Sequence, residues 1–135
     1  MRAYKGGQVQ PVSAVNQSSM ASKYTTIVAD TITLINELLA DILPDAFDPQ
    51  AVTLAVDLEG IKLCRHGKIS IVQIMSCVSE VVWLVDVTRL GSQAFDHVDP
   101  HGRTLRMILE DTGIKKVFSL FSCEIQHLLW ILGLL

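Results

Sequence analysis

Cysteine is scarce in this chain and poorly spaced for chemistry. The 135 residues contain Cys64, Cys77 and Cys123. An odd count with no short spacing argues against a disulfide framework and against a tetrahedral zinc set. It points to a reducing compartment, hence an intracellular location, nuclear or cytoplasmic. No apolar run is long enough to span a bilayer, so no membrane partner is expected. There is no excess of positive charge: the net charge is −3, which does not suggest a generic nucleic-acid binder. A metal ion can nevertheless bridge acidic protein and phosphate. No acidic residue precedes Asp30, and Arg2, Lys5 and Lys23 lie among several serines, a faint mitochondrial transit-peptide pattern. The formal sequon Asn16-Gln17-Ser18 has no apolar signal segment upstream and is discounted. Trp83 and Trp130 read as core residues, not base-stacking platforms.

What is present organises into one domain. Residues 1–22 are polar, rich in Gly, Gln and Ser, and without periodicity; they read as a disordered leader. The remainder, 23–135, opens with a helix. Asp30 or Thr31 caps it, Ile32, Ile35, Leu38, Leu39 and Ile42 share a face, and Pro44 stops it. Three strand-like runs follow in quick succession: Val52–Glu59, Lys68–Met75 and Val81–Val87. Their short links demand antiparallel neighbours, because a parallel crossover needs about a dozen residues or more. A helix is predicted over Thr104–Asp111, a strand over Ile114–Phe121, and a last helix capped by Ser122. This strand–helix–strand order adds a parallel strand to the meander. The predicted fold class is therefore α/β: a mixed sheet of three antiparallel strands plus a parallel one, with flanking helices. Leu128–Leu135 is apolar on every side. A helix of that kind must be buried all round, by self-association or by a fold that this chain leaves incomplete at its C-terminus.

The candidate site lies at the end of the first strand. Asp57 and Glu59 close the run Ala51-Val52-Thr53-Leu54-Ala55-Val56, and Gly60 follows. Strand side chains alternate, so both carboxylates point to one face. Adjacent like charges repel, and carboxylates are the hard ligands that Mg²⁺ or Mn²⁺ prefers. The plainer alternative is a strand fraying into a solvated acidic turn. Lys62, Arg65, His66 and Lys68 cluster in the next connection and suit a phosphate backbone. Arg103 and Arg106 form a second basic cluster; Lys115-Lys116 reads as ordinary surface charge. Asp86 reads as a turn or cap residue. His97 and His101 read as parts of a Pro-containing surface loop, and Gln73 as a residue that needs a hydrogen-bond partner if buried.

The stretches Val56-Asp57-Leu58-Glu59-Gly60, Arg65-His66-Gly67-Lys68-Ile69-Ser70-Ile71-Val72-Gln73-Ile74 and Trp83-Leu84-Val85-Asp86-Val87 resemble the first three strands of the 3′–5′ exonuclease domain of the DEDD superfamily, in its ribonuclease D-like branch. The resemblance covers about Tyr24–Leu135 and implies a ribonuclease H-like fold. It implies four carboxylates holding two divalent metals that activate a water against the terminal phosphodiester of a single-stranded RNA or DNA. Asp57 and Glu59 fall on the first motif. Glu124 stands where the second motif has Asp, with Leu128 in its expected place. Its extra methylene displaces the carboxylate, and a displacement of about 1 Å can cost roughly a hundredfold in rate. The third motif, a Tyr or His four residues before Asp, has no match in this sequence. The resemblance therefore implies a C-terminally truncated exonuclease domain. Glu124 and the missing motif leave open an inactive relative that binds nucleic acid or protein. A phosphotransferase with an aspartate nucleophile ranks last, because Glu59-Gly60 follows where such sites carry a second Asp and then Thr or Val.

Overall fold

The computed structural model describes residues 23–46, 48–63 and 67–118. β1 (Thr25–Ala29) leads into α1 (Ile32–Ile42); a 3-10 turn (Pro49–Ala51) precedes β2 (Thr53–Ile61), β3 (Lys68–Ser76) and β4 (Val81–Asp86). Two single-turn helices, α2 (Val87–Leu90) and α3 (Gln93–Asp96), then α4 (Leu105–Glu110) and β5 (Lys115–Phe118) complete the described chain. The sheet is five-stranded in the order β1-β4-β3-β2-β5. β3 is antiparallel to both β2 and β4, as the short links require, while β1–β4 and β2–β5 are parallel pairs. β1, β2, β4 and β5 therefore share one direction, and their C-terminal ends form one rim.

Alternation in the strands decides which face is covered. Leu54, Val56, Leu58, Val72, Ile74, Trp83 and Val85 are buried with Ile35, Leu38, Leu39 and Ile42 of α1, and with Phe95, Leu105 and Ile108 from α3 and α4. α1 forms because its apolar residues recur at helical spacing and Thr31 caps it, accepting a hydrogen bond from the Leu34 amide at 3.4 Å. Ala55, Asp57, Gln73, Met75, Val82 and Leu84 lie on the other face, half-buried or exposed among the described residues. Among those residues no helix is long and apolar enough to cross a membrane.

Three elements differ from the sequence prediction. β1 has no buried face to announce it: of its five residues only Ala29 is buried, so no alternation signals a strand. The two short helices fall in a stretch too brief for helical periodicity. The predicted strand to Phe121 is described as far as Phe118; its remainder, the Ser122-capped helix, the apolar Leu128–Leu135 run and the 1–22 leader lie outside the described residues.

Polar fastenings hold α1 to the rest. Asp41 accepts hydrogen bonds from the Ser79 hydroxyl at 2.7 Å and from Trp83 Nε1 at 2.8 Å. This satisfies the one polar atom of a core tryptophan. Nearby, the Asp99 side chain is 1% exposed and meets Arg103 at 2.8 Å. It also accepts the Arg103 and His101 backbone amides, while Arg103 reaches the Leu43 carbonyl at 2.7 Å. The basic pair Arg103 and Arg106 is thus structural, since Arg106 pairs with Asp96 at 2.6 Å. His97 shares a 2.9 Å hydrogen bond with Asn36, and His101 lies 3.4 Å from Asp45. Both histidines tie the loop to the body. Lys116 also departs from the surface-charge reading: it is half-buried beside Leu54 and donates to the Asp111 carbonyl, and burial pushes its ammonium pKa down, opposed by the Asp111 charge.

Burial alone would raise the pKa of Asp99, but hydrogen bonds from the Arg103 backbone and side chain, the Arg103 charge and the His101 amide hold it below its ordinary value. A depressed carboxylate stabilises the fold above its unfolded pKa and loses that contribution as pH falls through the folded value. Urea denaturation will show stability falling as pH drops below about 4. Arg103→Met will cost about 3 kcal/mol at neutral pH, because it strands a buried charge, and will flatten that acid limb.

Candidate metal centre

β2 places the two carboxylates. Val56 and Leu58 are each 2% exposed and point into the core, so the pleat turns Asp57 and Glu59 to the opposite face. Asp57 is half-buried and stands directly across from Gln73; Glu59 is exposed and stands across from Ile71. One Asp57 oxygen accepts the Leu58 amide at 3.0 Å. Neither carboxylate takes part in an ion pair among the described residues.

The register shifts between Glu59 and Gly60, which faces Ile69. A bulge of this kind bends a strand and re-aims the side chain beside it. Here it separates Glu59 from the hairpin that follows. Gly60 is required at this point. A Cβ there would overlap the Lys68 carbonyl oxygen and lie 2.7 Å from Leu63 Cδ2. Gly67 is equally constrained, since a Cβ would overlap the Lys62 carbonyl. Lys62 itself adopts φ of 50°, an uncommon conformation for a residue with a side chain. The hairpin carries exposed Lys62 and Lys68 on the strand ends beside the acidic pair. Arg65 and His66, between them in sequence, lie outside the described residues.

Two further acids lie at the same rim. Ile71 of β3 is flanked by Glu59 on one side and Asp86 on the other. Asp86 is committed elsewhere, because its side chain caps α2 by accepting the Arg89 amide at 2.9 Å. That bears out its reading as a cap. Asp30, which the sequence pattern offered only as a helix cap, pairs with Arg89 at 3.4 Å; Thr31 does the capping instead. The Arg89 charge and amide therefore occupy both acids. Glu124 lies outside the described residues. Among the described residues no three His, Cys, Asp or Glu side chains converge to hold a metal, so Asp57 and Glu59 are a pair of donors and not a complete set.

The five-stranded mixed sheet with flanking helices matches a ribonuclease H-like fold. Known structures agree. Ribonuclease D of Trypanosoma brucei superposes with a TM-score of 0.62 at 27% identity, over 83% of this chain and 36% of that one. The same enzyme solved in complex with RNA U12 gives 0.61 at 28% identity, covering 83% and 35%. Among curated proteins, the mouse piRNA biogenesis protein EXD1 is 42% identical over 64 residues, 47% of this chain and 10% of that protein. The human protein of the same name is also 42% identical over 64 residues, which is 11% of its length. No protein-family model matches the chain. The chain thus corresponds to about a third of the ribonuclease D structures and a tenth of the EXD1 proteins. The domain is 3′–5′ exonuclease-like and has the fold of ribonuclease D.

Gly60→Ala will destabilise the chain by about 2 kcal/mol, the usual scale for forcing a methyl group into occupied space. Urea denaturation of the two proteins checks this.

Proposed function

We propose that Asp57 and Glu59 are two ligands of a divalent-metal centre whose chemistry is hydrolysis of phosphodiesters from the 3′ end of a single strand. The observation that carries this reading is the placement of both carboxylates on one sheet face, without a cationic partner among the described residues, in the fold of ribonuclease D. Two hard oxygen donors with uncompensated charge suit Mg²⁺ or Mn²⁺. When bound, such ions lower the pKa of a water and stabilise the leaving oxygen. The chain's own residues hold the donors on a rigid strand, and the bulge at Gly60 sets the direction of Glu59. Glu124 is the proposed third ligand of a donor set that stays incomplete in this sequence, since the fourth carboxylate has no counterpart in it.

Lys62, Arg65, His66 and Lys68 are the proposed contacts to the nucleic-acid backbone. RNA is favoured over DNA because the ribonuclease D structure is in complex with RNA. The proposed setting is intracellular, nuclear or cytoplasmic. A second reading, an inactive relative that binds nucleic acid or protein, is favoured by one observation: Glu124 stands where the resemblance expects Asp.

The chain, incubated with a 3′-labelled single-stranded RNA and Mn²⁺, should release labelled mononucleotide. Asp57→Ala should lower the rate at least about a hundredfold, since even groups one shell further from a metal contribute 10–100-fold. Equal rates for the two proteins would overturn the hydrolytic reading. RNA binding that falls with salt but survives removal of metal, with no cleavage by either protein, would establish the binding relative in its place.

A further inference from the structure

β1 lies at one edge of the sheet, and among the described residues no strand pairs with its outer side. The Thr25 amide donates to the Glu80 carbonyl at 2.9 Å, and Thr25 stands beside Val81 in the parallel register. Backbone groups alternate in direction along a strand, so Thr25, Ile27 and Ala29 turn theirs toward β4. Thr26 and Val28 turn N–H and C=O outward, where no described strand meets them. Sheets guard such edges with lysine, proline or a bulge. β5, the opposite edge, carries Lys115 and Lys116. β1 has no such guard: Thr25-Thr26-Ile27-Val28-Ala29 holds no charge, proline or glycine, and every residue but Ala29 is β-branched. Val28 is 52% exposed. Charge lies only at the two ends. Lys23 precedes the strand and pairs with Glu80 at 3.2 Å; Asp30 follows it and pairs with Arg89 at 3.4 Å.

We propose that β1 pairs antiparallel with β1 of a second copy of this chain, centred on Ile27, and joins the two sheets into one. A strand that is basic before its start and acidic after its end complements itself in this orientation. Glu80 and Lys23 of one copy then stand beside Asp30 and Arg89 of the other, alternating in sign. Parallel pairing would set Lys23 beside Lys23 and Asp30 beside Asp30. In the antiparallel register Thr26 of each copy faces Val28 of the other, and the two residues exchange both backbone hydrogen bonds. Ile27, half-buried beside the core residue Trp83, meets Ile27 across the two-fold axis at the closer, non-hydrogen-bonded spacing. Val28, beside Leu84 on the open face, meets a threonine. Such an interface uses the same patch on both copies, with backbone hydrogen bonds supplying affinity and alternate side chains supplying specificity.

The test joins sedimentation of the full chain over a range of concentrations to hydrogen exchange read at single amides. The chain should show a reversible monomer–dimer equilibrium. Exchange at the Thr26 and Val28 amides should slow as dimer forms, while the Ile27 and Ala29 amides, bonded to β4, stay protected throughout. Val28→Lys alters an exposed side chain and should weaken dimerisation at least about tenfold, because a lysine on the edge blocks strand addition. Thr26→Pro removes an outward N–H that β4 does not use, a loss an edge strand tolerates, and should weaken it likewise. A chain that stays monomeric at every concentration overturns the proposal, as does a dimer that either variant leaves intact. A dimer whose Thr26 and Val28 amides exchange freely also overturns it, and places the contact on the open sheet face or the apolar run 128–135. Protection of both amides in a monomer would assign the edge to residues 1–22 and overturn it too.

Discussion

Everything at the candidate site depends on the pleat of β2. Side chains along a strand alternate, and a shift of one residue would exchange the two faces. Leu54, Val56 and Leu58 are locked into the core, so Asp57 and Glu59 have no other face to occupy. Burial of three large apolar side chains contributes several kcal/mol, at about 1.5–3 kcal/mol each. That is more than enough to hold two neighbouring carboxylates together despite their mutual repulsion at a solvent-facing surface, which is on the order of 1 kcal/mol. The core thus does the electrostatic work of assembling the pair, and no local charge is needed to do it.

The bulge extends this control by one residue. Up to Glu59 the ladder with β3 is regular; at Gly60 it slips, and the hairpin begins. The slip is possible because a glycine lets the backbone of Lys68 approach where a methyl group could not fit. Beyond the slip the pairing resumes as Gly60 opposite Ile69 and Ile61 opposite Lys68, and Leu63 and Ile69 return the hairpin to the core while Lys62 and Lys68 stay exposed. Acid and base stand close in sequence, yet neither Asp57 nor Glu59 forms an ion pair with Lys62 or Lys68 among the described residues.

The three central strands were legible because half of their residues are buried, and burial writes a period of two into the sequence. The antiparallel meander followed from link length alone. β1 was not legible for the converse reason: an edge strand with four of its five residues wholly or partly exposed leaves no apolar alternation. Asp57 and Glu59 could be identified as neighbours on one face from their spacing. The tasks of Asp41 and Asp99 could not, since they depend on Ser79, Trp83 and Arg103, which are distant in sequence or reached through a loop. The placement of Gln73 opposite Asp57 needed the strand register, which hydrophobic pattern fixes only to within two residues.

Reversal of a single strand, β3, has an effect on how this molecule can change. The fastenings made by Asp41 and Arg103 gather where β2 and β4 begin, beside the end of α1. The acidic pair lies further along β2, at its fifth and seventh residues, on the opposite face of the sheet from the core. Residues that far apart, with no shared partners, respond to substitution almost independently. A lineage can therefore erode or rebuild the Asp57–Glu59 pair, gaining or losing chemistry, while the fastenings made by Asp41 and Arg103 stay in place. A domain built this way can outlive its own reaction and be kept for what its surface binds.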